Sequence, residues 1–256
     1  MHELIKTEQE KEQGSEHLKK FLENIANKLQ VEGVPVDSEC RIDDDAFKNY
    51  YPPAVLARDQ QRRISLLLQW QADQQKQDRM GEKLEMLKTA IFHKFLKEDF
   101  IVCRSALIDD IDNKIDNVVL EKKTGNIIGA FDEVGDINDS FYKDKREKVL
   151  AINTTAGARL RYGLATDPKT RKITPKSVEN IPLFYLALPK PYIEQGIKNF
   201  QLKATSEYEK KLFAYFISSL LTQIKELDLK IPVLEPERRK KLEIFSRAIQ
   251  KYSRIK

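Results

Sequence analysis

Glycine and proline are scarce in this chain, with 9 and 10 residues among 256, and that scarcity excludes collagen-like and low-complexity sequences. Cysteine is scarcer still. Cys40 and Cys103 lie far apart, with no CxxC and no histidine pair nearby, so neither a disulfide framework nor a zinc site is expected. Only His2, His17 and His93 supply imidazole. On a helix through Leu84, His93 falls opposite the apolar stripe, which predicts a solvent-facing ring and argues against Ser/His or Cys/His catalysis. Phosphate-cradling GxGxxG and GxxxxGK[ST] loops are missing, as are HExxH and GxSxG. Long hydrophobic runs are missing too. The stretch from Leu212 to Leu221 is too short to span a bilayer, and the N-terminal MHELIKTEQEKEQ, charged from its third residue, does not read as a signal peptide. A cytoplasmic protein with no membrane partner is expected.

What is present is charge and helix-forming residues. Hydrophobic residues make up 41% and charged residues 33%, too apolar for wholesale disorder and rich in Lys, Glu, Gln and Leu. The formal net charge of +5 is unevenly spread. Residues 235–256 carry eight basic side chains against three acids, whereas residues 109–139 carry nine acids against Lys114, Lys122 and Lys123. An acidic centre on a basic protein suits an enzyme that holds a cation and attracts a polyanion, although two solvated charge clusters look the same in sequence.

Hydrophobic periodicity predicts a frayed segment over 1–12 and a helix over 17–30 capped by Ser15. A loop from Gly33 to Pro53 and helices over 54–77 and 82–98 follow, with a joint at Gly81. The character then changes. FIVCRSALI, KIDNVVLE and NIIGAFDEV read as three strands, the last two joined by a turn at Lys122 to Gly125. A helix is expected over 141–153, a strand over 158–163, a loop over 167–177 and a buried strand over 181–188. Helices close the chain over 190–199, 206–227 and 236–253. This order predicts an α+β (mixed α/β) fold, divided into a helical extension over 1–80, a core over 81–200 and a C-terminal helical segment over 201–256.

The chemistry lies in carboxylates. Glu85 lands between Phe92 and Leu96 on the apolar face of its helix, where a carboxylate needs a partner or a metal; a rim glutamate meeting a lysine is the ordinary alternative. Asp116 and Asp132 are symmetric about Thr124, so the hairpin sets them on opposing or adjacent rungs among apolar neighbours. Two such aspartates repel unless a cation lies between them, or unless one ends its strand. Oxygen ligands without His or Cys select Mg²⁺, Mn²⁺ or Ca²⁺. On the helix from Phe141, Lys145 and Lys148 fall on the stripe of Tyr142, Val149 and Ile152, aimed at the sheet that bears the acids, as ion-pair partners or as catalytic cations.

This order and spacing resemble the PD-(D/E)xK nuclease superfamily over about residues 82–190. KIDNVV with Asp116 resembles its second-strand motif, IIGAFDEV with Asp132 its (D/E)xK strand, and Glu85 the acid on its first helix. Arg104-Ser105 through Asp109-Asp110 to Asp116 is also similar to a segment of small bacterial proteins. The motif lysine position holds Val134; some members of the superfamily carry that lysine on the neighbouring helix, where Lys145 and Lys148 lie. The resemblance implies a restriction-endonuclease-like α-β-β-β-α-β core flanked by N- and C-terminal helices. It also implies a metal-dependent phosphodiesterase acting on DNA more readily than RNA. Glu85, Asp116 and Asp132 would bind Mg²⁺ (or Mn²⁺), with Lys145 acting on water or phosphate. Asp109 and Asp110 are outer-ligand candidates or an end-of-strand turn. On the last helix Leu242, Phe245, Ile249 and Tyr252 form a docking stripe. Arg238, Lys241, Arg247, Lys251 and Arg254 are expected on its exposed sides, Arg238, Lys241, Arg247 and Lys148 within reach of phosphate. A nucleic-acid-binding or regulatory protein that kept the fold and lost activity is the alternative, and a homodimer is open.

Overall fold

The structure, a computed structural model, describes residues 2–74, 80–134, 140–230 and 234–253. Its centre is the hairpin of β2 (Asn117–Glu121) and β3 (Ile127–Val134). Gly125 turns the chain with φ +64, and a Cβ there would meet the Thr166 hydroxyl at 1.9 Å, so glycine is required twice over. Asn117 pairs with Phe131, Val118 with Ala130 and Val119 with Gly129, the register centred on Thr124 that the sequence predicts; a shift follows between Val119 and Leu120. Just before the Asn117–Phe131 rung, the Asp116 amide donates to the Phe131 carbonyl at 2.8 Å, which brings Asp116 beside the end of β3.

Around that hairpin β1 (Phe100–Arg104) pairs antiparallel with β2, and β6 (Leu183–Ala187) pairs parallel with β3. The sheet order is β1-β2-β3-β6. A second sheet is the hairpin of β4 (Ala158–Thr166) and β5 (Ile173–Ile181). The class is α+β.

Strand alternation puts Phe131 and Glu133 on one face of the sheet and Asp132 on the other. The first face packs on α3 (Met80–Leu96), α7 (Glu207–Asp228) and α8 (Pro236–Tyr252). There the Phe131 ring stands 5.6 Å from Phe92 and 6.2 Å from Phe245; such ring pairs add about 0.5–1.5 kcal/mol each beyond area burial. The other face meets α5 (Ser140–Thr154). Helix α6 (Lys190–Lys198) docks on α3 and on α1 (His2–Val31), and at Gly14 a Cβ would fall 2.1 Å from the Ile197 carbonyl, so α1 and α6 touch backbone to backbone. The buried apolar residues of α1, α3, the sheet and α5 to α8 form one continuous cluster. Among the described residues no helix is long and apolar enough to cross a membrane.

The structure corrects several sequence expectations. The first helix begins at His2, not at residue 17, and Ser15 lies inside it; Glu, Lys and Gln are good helix formers and extend it. Gly81 sits within α3 and makes no joint, while α2 (Pro53–Gln74) ends near the expected place and residues 75–77 fall outside the described residues. The first strand stops at Arg104, because Leu107–Asn113 coil into the short helix α4. The expected loop over 167–177 contains most of β5, whose TPKSVEN is polar because the strand lies at the surface. His93 is buried, its Nε2 2.6 Å from the Val102 carbonyl. Residues 84–93 of α3 are all buried, under β1, α1, α6 and α7, so the side of the helix that carries His93 is covered as well.

Candidate functional site

The carboxylates of the hairpin meet where β3 runs out at Val134. Asp116 precedes the first rung of β2, and its Oδ2 accepts the Glu133 amide at 2.5 Å. Across the hairpin Asp132 accepts the Lys145 ammonium on Oδ1. That same ammonium donates to the Glu133 carbonyl at 2.6 Å. Lys145 therefore reaches the acids from α5, as the sequence predicts, whereas Lys148 is exposed and leaves the stripe. Lys143, Arg146 and Glu147 point away as expected.

Asp110, at the first turn of α4, joins the row. Asp116 lies within hydrogen-bond reach of both Asp110 and Asp132. Burial, then the neighbouring acids, raises all three carboxyls above the usual carboxylate range, with Asp116 the principal neighbour for Asp110 and Asp132 and Glu85 the principal one for Asp116. Asp109 goes elsewhere: it accepts the amides of Arg161 and Tyr162, each at 2.8 Å, and the Asn113 side chain at 2.7 Å, which anchors β4 to α4.

Glu85 is buried as expected, but its oxygens are engaged by arginine. Arg104 donates from Nε and Nη2 to its two oxygens at 2.8 and 3.0 Å, and Arg41 approaches at 3.3 Å. These guanidiniums offset the desolvation that would raise Glu85 and leave it below the usual range. An ion pair therefore occupies both oxygens of Glu85. Arg41 also approaches Asp110 at 3.4 Å and donates to the Ser105 carbonyl at 2.8 Å.

Two charged residues of this cluster escaped the sequence reading. Lys88, fully buried, pairs with Glu133 and stands 4.4 Å above the Phe131 ring. Burial lowers the Lys88 ammonium from the usual lysine range, against the pull of Asp116, Glu85 and Asp132. The signal was on the wheel that singled out Glu85: Lys88 falls about 40° from Leu84, between Leu84 and Phe92. Glu133 sits between two named positions of the strand and faces α3, opposite to Asp132. It is the hub of the site, with its amide on Asp116, its carbonyl on Lys145 and its carboxylate on Lys88.

The basic positions of the last helix are only partly at the surface. Its apolar stripe Leu242, Phe245, Ile249 and Tyr252 is buried, as expected. Arg238, by contrast, is 1% exposed and donates to the carbonyls of Asn153 and Thr155 and to Asn180 Oδ1. Lys241 pairs with Glu237 at 2.8 Å and donates to the Glu179 carbonyl at 2.6 Å, and Lys251 pairs with Asp99 at 2.8 Å. These contacts tie α8 to the body; the burial of Arg238 corrects its expected place on an exposed side, whereas Lys251 is exposed as expected. Arg247 is exposed and donates to the Glu243 carbonyl at 3.3 Å, and Arg254 lies outside the described residues. A cleft of about 680 Å³ lies instead between β5 and α8, lined by Lys176, Lys240, Arg159 and Ile127 among others. Along β3, Ile127 is about 16 Å from Asp132.

Among the described residues no group of three His, Cys, Asp or Glu side chains is placed to hold a metal ion. The donors that do fit a hard cation are oxygens: the Asp116 and Asp132 carboxylates and the Glu133 carbonyl. A cation already rests on two of them, the Lys145 ammonium. No family model matches the chain, and no curated protein and no solved structure matches it.

Proposed function

We propose that the protein is a metal-dependent phosphodiesterase of PD-(D/E)xK type that cleaves DNA. The observation that carries this reading is the close approach of the Asp116 and Asp132 carboxyls beside the end of β3, with a lysine of the following helix on Asp132. The order α3, β1, β2, β3, α5, β6, with β6 parallel to β3, supports the same reading; α4 and the β4–β5 hairpin are insertions into it.

In this reading Asp116 and Asp132 hold Mg²⁺ or Mn²⁺ with the Glu133 carbonyl. The chemistry such an ion would supply between these residues is an acidified water and polarisation of the scissile phosphate. Asp116 is oriented by the Glu133 amide, so its carboxylate does not have to reorganise to bind. Lys145, at the solvent side of the pair, is the cation that meets the phosphate charge. Glu85 holds Arg104 and Arg41 in place beside the acids. Supercoiled plasmid incubated with Mg²⁺ or Mn²⁺ is expected to be nicked and linearised, and chelator to stop it; an intact plasmid under all metal conditions contradicts the reading.

One observation favours a second reading, a nucleic-acid-binding or regulatory protein that has lost cleavage. Val134 holds the motif lysine position, and Lys145 neutralises Asp132 without a metal. DNA retention with no cleavage under any divalent ion would select it.

A further inference from the structure

Lys145 differs from the other cation of the cluster in one respect that matters for ligand entry. Its side chain is 27% exposed, while that of Lys88 is 0% exposed and Asp132 is 9% exposed. Lys88 is walled in against Phe131 and Glu133 and has no route outward. Lys145 covers Asp132 from the solvent side, on a flexible four-carbon stem. Its ammonium contacts Asp132 Oδ1 and lies 2.6 Å from the Glu133 carbonyl oxygen. A carboxylate oxygen beside a backbone carbonyl oxygen is also a pair of donors that a hard divalent cation seeks. The ammonium and the metal therefore compete for the same atoms. They differ in charge: the ammonium brings one positive charge to Asp132 and the Glu133 carbonyl, beside the Arg41 guanidinium on Asp110, and a divalent ion brings two to the same atoms.

We propose that Lys145 is the resident cation of this site, holding the place of a divalent ion in the metal-free protein and swinging out when the ion binds. The inference rests on the metal reading above and adds a regulatory step to it. In the metal-free state the lysine keeps the two aspartates from repelling each other. Once displaced it remains tethered at the rim, where an incoming phosphate would next meet it, so one side chain serves as place-holder and then as anion contact. Competition of this kind lowers apparent metal affinity: an ammonium in place nine-tenths of the time weakens it about tenfold.

Calorimetric titration of Mn²⁺ into the full-length protein tests this directly. Lys145→Gln, which removes the charge and keeps a polar chain, is expected to bind Mn²⁺ about tenfold more tightly than wild type, and Asp132→Asn is expected to bind none. Equal or weaker binding by Lys145→Gln, with wild type binding normally, overturns the place-holder and leaves the metal reading intact. No binding by either protein overturns both. A second measurement needs no variant. Acylation of the Lys145 amine, followed by mass spectrometry, is expected to accelerate several-fold when Mg²⁺ is added to wild type, and an unchanged rate overturns the proposal.

Discussion

The Asp116 and Asp132 carboxyls stand within hydrogen-bond reach of each other beside the end of β3, and the amide of Glu133 donates to Asp116 Oδ2 at 2.5 Å. Two acids held this way are costly without a counter-cation, and Lys145 supplies one charge. If the pair takes up a divalent ion, the ion binds the folded chain and not the unfolded one. Millimolar Mg²⁺ or Mn²⁺ should then raise the melting temperature, by about 2.7 kcal/mol of stability at a hundredfold excess over Kd. Differential scanning fluorimetry reads the shift. Asp132→Asn is expected to abolish it; a variant that melts higher, beside a wild type indifferent to metal, would show that the pair is only repulsive.

Glu85 gives a separate prediction, because its oxygens are on Arg104. Removing one partner of a buried pair leaves an uncompensated charge, at about 3–5 kcal/mol. Chemical denaturation of Glu85→Ala should show a loss of that order. Glu85→Leu with Arg104→Met together should recover much of it. The metal-induced shift should survive in both variants; its disappearance would return Glu85 to the ligand set.

The register of the hairpin was legible because it needs only local information: a turn at Lys122 to Gly125, and β-branched runs on either side of Thr124. Lys145 was legible for a similar reason, since one helical stripe and one sheet face decide it. Other features depend on partners distant in sequence. His93 lies on the polar side of its own helix and is buried because β1 crosses there. Arg104 and Arg238 are among the most buried side chains, each answered by groups from other elements. Charge predicts solvent unless a partner is known, and no periodicity names the partner. The short helix α4 has no side-chain cap to announce it.

His93 carries a pH prediction. Burial pushes its ring down to about 4, below the ordinary value of 6.5. The unfolded chain therefore binds a proton between pH 6.5 and 4 that the folded chain refuses. The contribution is fully present above pH 6.5 and falls as pH drops toward 4, by up to about 1.4 kcal/mol per pH unit. Gln can keep a donor toward the Val102 carbonyl without titrating. Urea denaturation of His93→Gln should give a shallower fall between pH 6.5 and 4 than wild type; parallel curves would mean that His93 is not the group responsible.

The last helix separates buried from exposed cations. Arg238→Gln leaves the carbonyls of Asn153 and Thr155 without their donor, at about 1–3 kcal/mol for each bare acceptor. Lys240→Gln, at an exposed position, should change stability by less than about 0.5 kcal/mol. If the cleft between β5 and α8 carries phosphate contacts, Lys240→Gln should instead lower the log–log salt slope of DNA binding by about 0.9. An unchanged slope would place any such contacts elsewhere.

The central claim, that Asp116 and Asp132 make a metal site for phosphodiester cleavage, meets its most direct test in plasmid turnover. Wild type, Asp116→Asn and Asp132→Asn are compared in the same Mn²⁺ buffer, with circular dichroism to confirm folding. Wild type is expected to nick the plasmid, and both aspartate variants to lose the activity by orders of magnitude while remaining folded. Cleavage by either folded aspartate variant at the wild-type rate, or none by wild type itself, would contradict the account.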